Sequence, residues 1–123
     1  MLARVAPGVE QAMNDILDAI GRARVADKRL RLADSLCDEA GLQLAYQAIL
    51  HNLSVIGDAV SAIPEEILER DQQTPWSQFV EPPGLIVPDY FRIDPAQMHR
   101  IVETDLGALD VAVRRLRATL QTR

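Results

Sequence analysis

Aromatic residues are scarce in this 123-residue chain, at 4% of positions, while Leu, Ala, Ile and Val are plentiful. Sheets draw on aromatic and β-branched side chains, so this bias predicts helices packed on helices. Cysteine is nearly absent: Cys37 stands alone, which excludes an intramolecular disulfide and predicts a reducing, cytoplasmic setting. No apolar run approaches the roughly 20 residues of a membrane span, and the opening "MLARVAPGVEQAMND" has no signal-type apolar core. Membrane insertion is therefore not expected. His51 and His99 are the only histidines, too far apart from each other and from Cys37 for a recognisable metal-ligand spacing. A phosphate-cradling glycine loop and a nucleophile elbow are both missing, and no cofactor is expected. Basic charge is also in deficit. The net charge of −5 removes the long-range field that draws nonspecific nucleic acid, though it leaves room for a local basic site.

What is present is helical periodicity over a length that suits a single domain, residues 1–123. After Pro7-Gly8, apolar residues recur at Val9, Met13, Ile16, Leu17 and Ile20 on one helix face. The next piece, "DKRLRLADSLCDEAG", carries Leu30, Ala33 and Cys37 on a stripe and predicts a short helix or an irregular helical turn. Ala45, Ala48, Ile49, Asn52, Ile56, Val60 and Ile63 then mark a longer helix ending at Pro64. Its extra apolar residues, Leu44, Leu53 and Val55, predict a place in the middle of a bundle. "PEEILER" predicts a short helix with Pro64 in its first turn. Glu65, Glu66 and Glu69 there are explained by the helix dipole and solvent rather than by a carboxylate site. "TPWSQF" predicts one turn capped by Thr74 with Pro75 at its first position. "DPAQ" predicts the last helix start, with Asp94 as N-cap, Pro95 behind it and Gln97 closing a capping box. That helix has the stripe Met98, Ile101, Val102, Leu106, Leu109, Val113, Leu116 and Leu120, with Asp110 and Arg114 as a surface pair. The architecture expected is an all-α, up-and-down antiparallel bundle of four to five helices with short connections.

Between these helices the pattern lapses at "EPPGLIVPDYF". Pro82, Pro83 and Pro88 each remove a backbone donor and fix φ, and a helix through Pro88 would cost about 3 kcal/mol or more.

Three pieces, "HNLSVIGDAVSAIPEEI", "TPW" and "DYFRIDPAQMHRIVETDLGAL", together resemble the HepT-like proteins of the HEPN superfamily, in order from about Asp15 to Leu120. The resemblance implies a homodimeric helical bundle that pairs with a nucleotidyltransferase of the MntA type in a toxin–antitoxin system. The family activity is metal-independent RNA cleavage, and the partner silences it by adding AMP to the tyrosine of an Arg-Asn-x-x-x-His-x-Tyr motif. Aligned on Trp76 and Tyr90, the motif falls on "PGLIVPDY". Its arginine position is Pro83, its asparagine position Gly84 and its histidine position Pro88, so only Tyr90, the candidate AMP acceptor, survives. Cleaving RNA without metal needs a proton carrier near neutral pH and a cation on the phosphate. Proline supplies neither, so the catalytic set is degenerate and no catalytic residue is assigned. Asn52 and Asp58 are the candidate site-lining residues on the central helix, Asp58 at the family's acidic position.

Three functions compete. The first is a HepT-like binding subunit with little or no ribonuclease activity. The second is an RNA endonuclease that uses displaced groups such as Arg92, His99 or His51. The third is a free-standing helical adaptor. His51 itself fits a packed or dimer-seam position better than a catalytic one, and His99 fits the boundary of the last helix.

Overall fold

Ten apolar side chains on one face, beginning at Val9 and ending at Ala33, build a single helix, α1 (Pro7–Ser35). The computed structural model describes residues 7–80 and 94–121. The stretch read as a separate short helix or irregular turn, residues 27–41, is instead the last nine residues of α1, the turn that ends it and the start of the next helix. The buried face runs on through Ala23, Ala26, Leu30 and Ala33 at steps of three and four, so nothing interrupts the ladder. Cys37 is not on the stripe. It is exposed, with φ at 54°, and it ends the helix. The Cys37 N–H reaches the Asp34 carbonyl at 3.2 Å and the Asp38 N–H reaches the Ala33 carbonyl at 2.8 Å, the paired closure usually made with glycine in the left-handed position.

Asp38 then caps α2 (Glu39–Ser61), accepting from the Gly41 N–H at 3.0 Å. The two long helices form an antiparallel hairpin and pack along their lengths. Small residues permit the close approach: Ala12, Ala19, Ala23 and Ala26 on α1 face a core containing Ala45, Ile49, Leu53 and Ile56 of α2.

α1, rather than α2, is the hub of the bundle. It makes the close approaches to α2 and to the last three helical segments, while α2 approaches α1 and the short helix at Ser77–Val80. The extra apolar surface of α2 goes partly inward, at Leu53, and partly outward, at Leu44, which is 70% exposed.

α3 (Glu65–Leu68) starts with Pro64 in the N-cap position, one place earlier than expected. α4 (Ser77–Val80) starts after Trp76, because the Thr74 hydroxyl donates to Asp71 at 2.9 Å instead of capping the turn. Trp76 is buried and its indole N–H bridges the Leu68 and Asp71 carbonyls at 3.2 and 3.0 Å.

The last helix begins with the Asp94 cap and Pro95 start that were expected. Asp94 accepts from the Ala96 and Gln97 N–H groups at 3.1 and 3.2 Å, opening α5 (Pro95–Arg100). It is not one regular helix. Residues Ile101–Asp105 form a π-turn, closed by the Leu106 N–H on the Ile101 carbonyl, before α6 (Leu106–Gln121) resumes. Four residues overshoot one α-turn and fall short of one π-turn. The steps Met98–Val102 and Val102–Leu106 therefore cancel, keeping all three inside. Asp110 pairs with Arg114 at 2.7 Å and also meets Arg24 of α1 at 3.4 Å, tying α6 to α1. Among the described residues there is no strand, and no helix is long and apolar enough to cross a membrane.

Candidate functional site

The motif positions Pro83, Gly84, Pro88 and Tyr90, together with Arg92, lie outside the described residues. Of the α2 candidates, Asn52 is buried and its side-chain amide donates to the Ala48 carbonyl at 2.8 Å. Asp58 is exposed. Six residues along a helix is about 9 Å of rise and well over one turn, so the two do not converge on a common point. His51 is exposed as well, which rules out its being packed within this chain. Among the described residues no group of three His, Cys, Asp or Glu side chains is placed to hold a metal ion.

The structure instead joins His99 to a residue the sequence did not single out. Nδ1 of His99, on α5, lies 2.7 Å from Oδ2 of Asp27, on α1, across 72 positions of sequence. A carboxylate can only accept, so Nδ1 carries the hydrogen and Nε2 is the nitrogen left for other partners. Asp27 is 4% exposed, and its second oxygen, Oδ1, is buried with no hydrogen-bond partner among the described residues. A carboxylate oxygen stranded in this way costs about 1–3 kcal/mol. One signal could have revealed Asp27. When the α1 stripe is carried through Ala23, Ala26 and Leu30, position 27 falls on the inner face, where an unpaired charge is rare.

His99 also lines a shallow groove of about 650 Å³ between α1 and α5, with Lys28, Arg31, Asp34 and Ser35 on the α1 side. A larger groove of about 850 Å³ runs between α1 and α2. Four of the large exposed apolar side chains, Val25, Leu32, Leu36 and Leu44, line it. Asp18, Arg22, Arg29 and Asp38 add charge of both signs, and Asn52 closes one side.

A third polar cluster serves the framework. Asp71 is buried and takes Nε and Nη2 of Arg115 at 3.2 and 2.8 Å as well as the Thr74 hydroxyl at 2.9 Å. Burial alone pushes the Asp71 carboxyl up. The hydrogen bonds from Arg115, Thr74 and the Gln73 backbone, with the Arg115 charge, outweigh it and hold the group below the usual carboxylate range.

Residues 16–116 match the family model described as ribonuclease HepT-like. A Thermococcus cleftensis protein named "Probable ribonuclease HepT" is 24% identical over 105 residues, which cover 85% of this chain and 92% of that protein. A Methanocaldococcus jannaschii protein named "Gamma-glutamylcyclotransferase and putative RNase MJ0434" is 27% identical over 62 residues, 50% of this chain and 28% of its own length. The chain thus spans about a quarter of one curated relative and nearly all of the other. No solved structure gives a significant match. A family match over residues 16–116, borne on an all-α frame of the expected helix order, shows that the chain belongs to the ribonuclease HepT-like family.

Proposed function

We propose that this chain is a binding subunit of the HepT-like family, without ribonuclease activity at the family's motif, that acts as a homodimer and engages an MntA-like nucleotidyltransferase. The observation that carries this reading is the loss of both chemically active motif residues, to Pro83 and Pro88. Neither proline can move a proton or donate a hydrogen bond to a phosphodiester. The α2 candidates do not compensate. Asn52 has no titratable proton and spends its amide on Ala48, and Asp58 faces solvent.

The groove between α1 and α2 supports the dimer. A two-fold interface repeats one patch against itself, so a patch holding both apolar side chains and charges of both signs is self-complementary. Leu32, Leu36 and Leu44 supply the apolar part, and Asp18 with Arg22 supplies opposite charges. Tyr90 is retained at the acceptor position, which suits continued recognition by the nucleotidyltransferase.

Incubating the purified chain with tRNA in the presence of a chelator tests the reading. No cleavage above a protein-free control is expected. Co-expression with an MntA-like nucleotidyltransferase is expected to give a stable complex, and an AMP adduct lost in Tyr90→Phe. Chelator-resistant cleavage would overturn the proposal. If His99→Ala abolished that cleavage, the displaced-residue endonuclease would replace it, the alternative favoured by the 2.7 Å His99–Asp27 contact.

A further inference from the structure

We propose that the groove between α1 and α5 is a phosphate-group site, in which Lys28 and Arg31 supply charge and His99 supplies an aimed imidazole nitrogen. This goes beyond the reading above, since it concerns residues outside the family motif and requires no cleavage.

Three independent observations support it. Lys28 and Arg31 stand three residues apart on α1 and so share a face. Both line the groove, and neither has an acidic partner within ion-pair distance among the described residues. By contrast, Arg24, Arg114 and Arg115 are all paired with carboxylates. Second, His99 is held from behind. Its Nδ1 is committed to Asp27, which is 96% buried and so well shielded, leaving Nε2 as the nitrogen a groove ligand can meet. Third, the Asp27 carboxylate keeps one buried oxygen unpartnered while holding that imidazole. A core with a free choice at this position would take an apolar residue, and half-satisfied buried groups concentrate where a site needs them.

The opposing charges and hydroxyls have also to be counted. Asp34 lines the same groove and the Asp27 carboxylate stands directly behind His99, so Lys28 and Arg31 face two carboxylates, of which Asp27 is committed to the imidazole. The Ser35 hydroxyl donates to the Leu32 carbonyl at 2.9 Å, so it offers the ligand no free donor. The donors are therefore an ammonium, a guanidinium and, when both ring nitrogens of His99 carry hydrogen, its Nε2–H, arriving from two helices. A tetrahedral phosphate group can accept from all three directions, whereas a planar carboxylate is satisfied by the guanidinium alone.

The test is a titration of the labelled full chain in phosphate-free buffer, following the His99 ring and the Lys28 and Arg31 backbone by NMR. One arm uses inorganic phosphate. The other uses a uridine hexanucleotide without terminal phosphates. Saturable shifts at His99 are expected in at least one arm. Stronger saturation by phosphate identifies a terminal phosphate as the ligand, and stronger saturation by the oligonucleotide identifies a phosphodiester. The Lys28→Ala/Arg31→Ala double variant, which alters only exposed side chains, should keep the wild-type circular dichroism. It should bind about tenfold more weakly. Equal shifts with chloride at matched ionic strength, unchanged binding by the double variant, or no saturable shift in either arm would each overturn the proposal.

Discussion

At the scale of single residues, two positions carry more than their neighbours. Asp71 links the α3–α4 connection to α6 through Arg115, and its carboxyl is held below the usual range. A depressed folded-state value means that the ionised form stabilises the fold. That contribution is complete above the unfolded value of about 4 and is lost as pH falls through the lower folded value. Asp71→Asn should therefore lower stability at pH 7 by about 2 kcal/mol. In urea titrations the gap between wild type and variant should hold above about pH 4 and narrow as the pH is lowered further. Cys37 illustrates strain. Its φ of 54° is a left-handed conformation that costs an L-residue roughly 1 kcal/mol. Cys37→Gly relieves it, less the added freedom of the unfolded chain, and is expected to raise stability by about 0.5 kcal/mol. A thermal melt showing destabilisation would contradict the left-handed closure of α1.

At the scale of elements, the same substitution should have opposite signs at two glycines. Gly57 sits inside α2 where a Cβ would come within 2.9 Å of the Val80 carbonyl oxygen and 3.2 Å of that of Phe79. Both are backbone atoms of α4 and cannot swing aside, so Gly57→Ala should cost about 1–3 kcal/mol despite the better helix propensity. At Gly107 in α6 a Cβ meets nothing within 4 Å, and Gly107→Ala should add about 0.5–1 kcal/mol. Denaturant midpoints of the two variants, compared with wild type, check both. Element boundaries were legible in the sequence where a cap or a proline marked them, as at Asp94 and Pro64. They were illegible where the marker was unusual. The end of α1 is closed by Cys37 rather than glycine, and an interrupted apolar pattern after Ile20 concealed that alanines carry the stripe onward. The π-turn was equally hidden, because a stripe spaced by fours looks the same whether the backbone winds as α or π.

At the scale of the molecule, the α1–α2 groove is the surface that the proposed dimer would cover. Leu44 is 70% and Leu32 60% exposed, and burying such side chains on a second copy gains about 1.5–3 kcal/mol each. A Leu32→Glu/Leu44→Glu double variant is expected to fold with wild-type circular dichroism yet run as a monomer in light scattering. A wild-type protein that is itself monomeric at tens of micromolar would remove the dimer from the proposal. The sequence by itself determined the helical class and the family, because each depends on local pattern or on which side chains exist. Only the tertiary structure decided that α1 is the hub and that Asp27 and His99 meet. Those are facts about which faces of separate helices are brought together. Residues 27 and 99 are 72 positions apart, and no periodicity within either helix specifies how the two helices are rotated against each other.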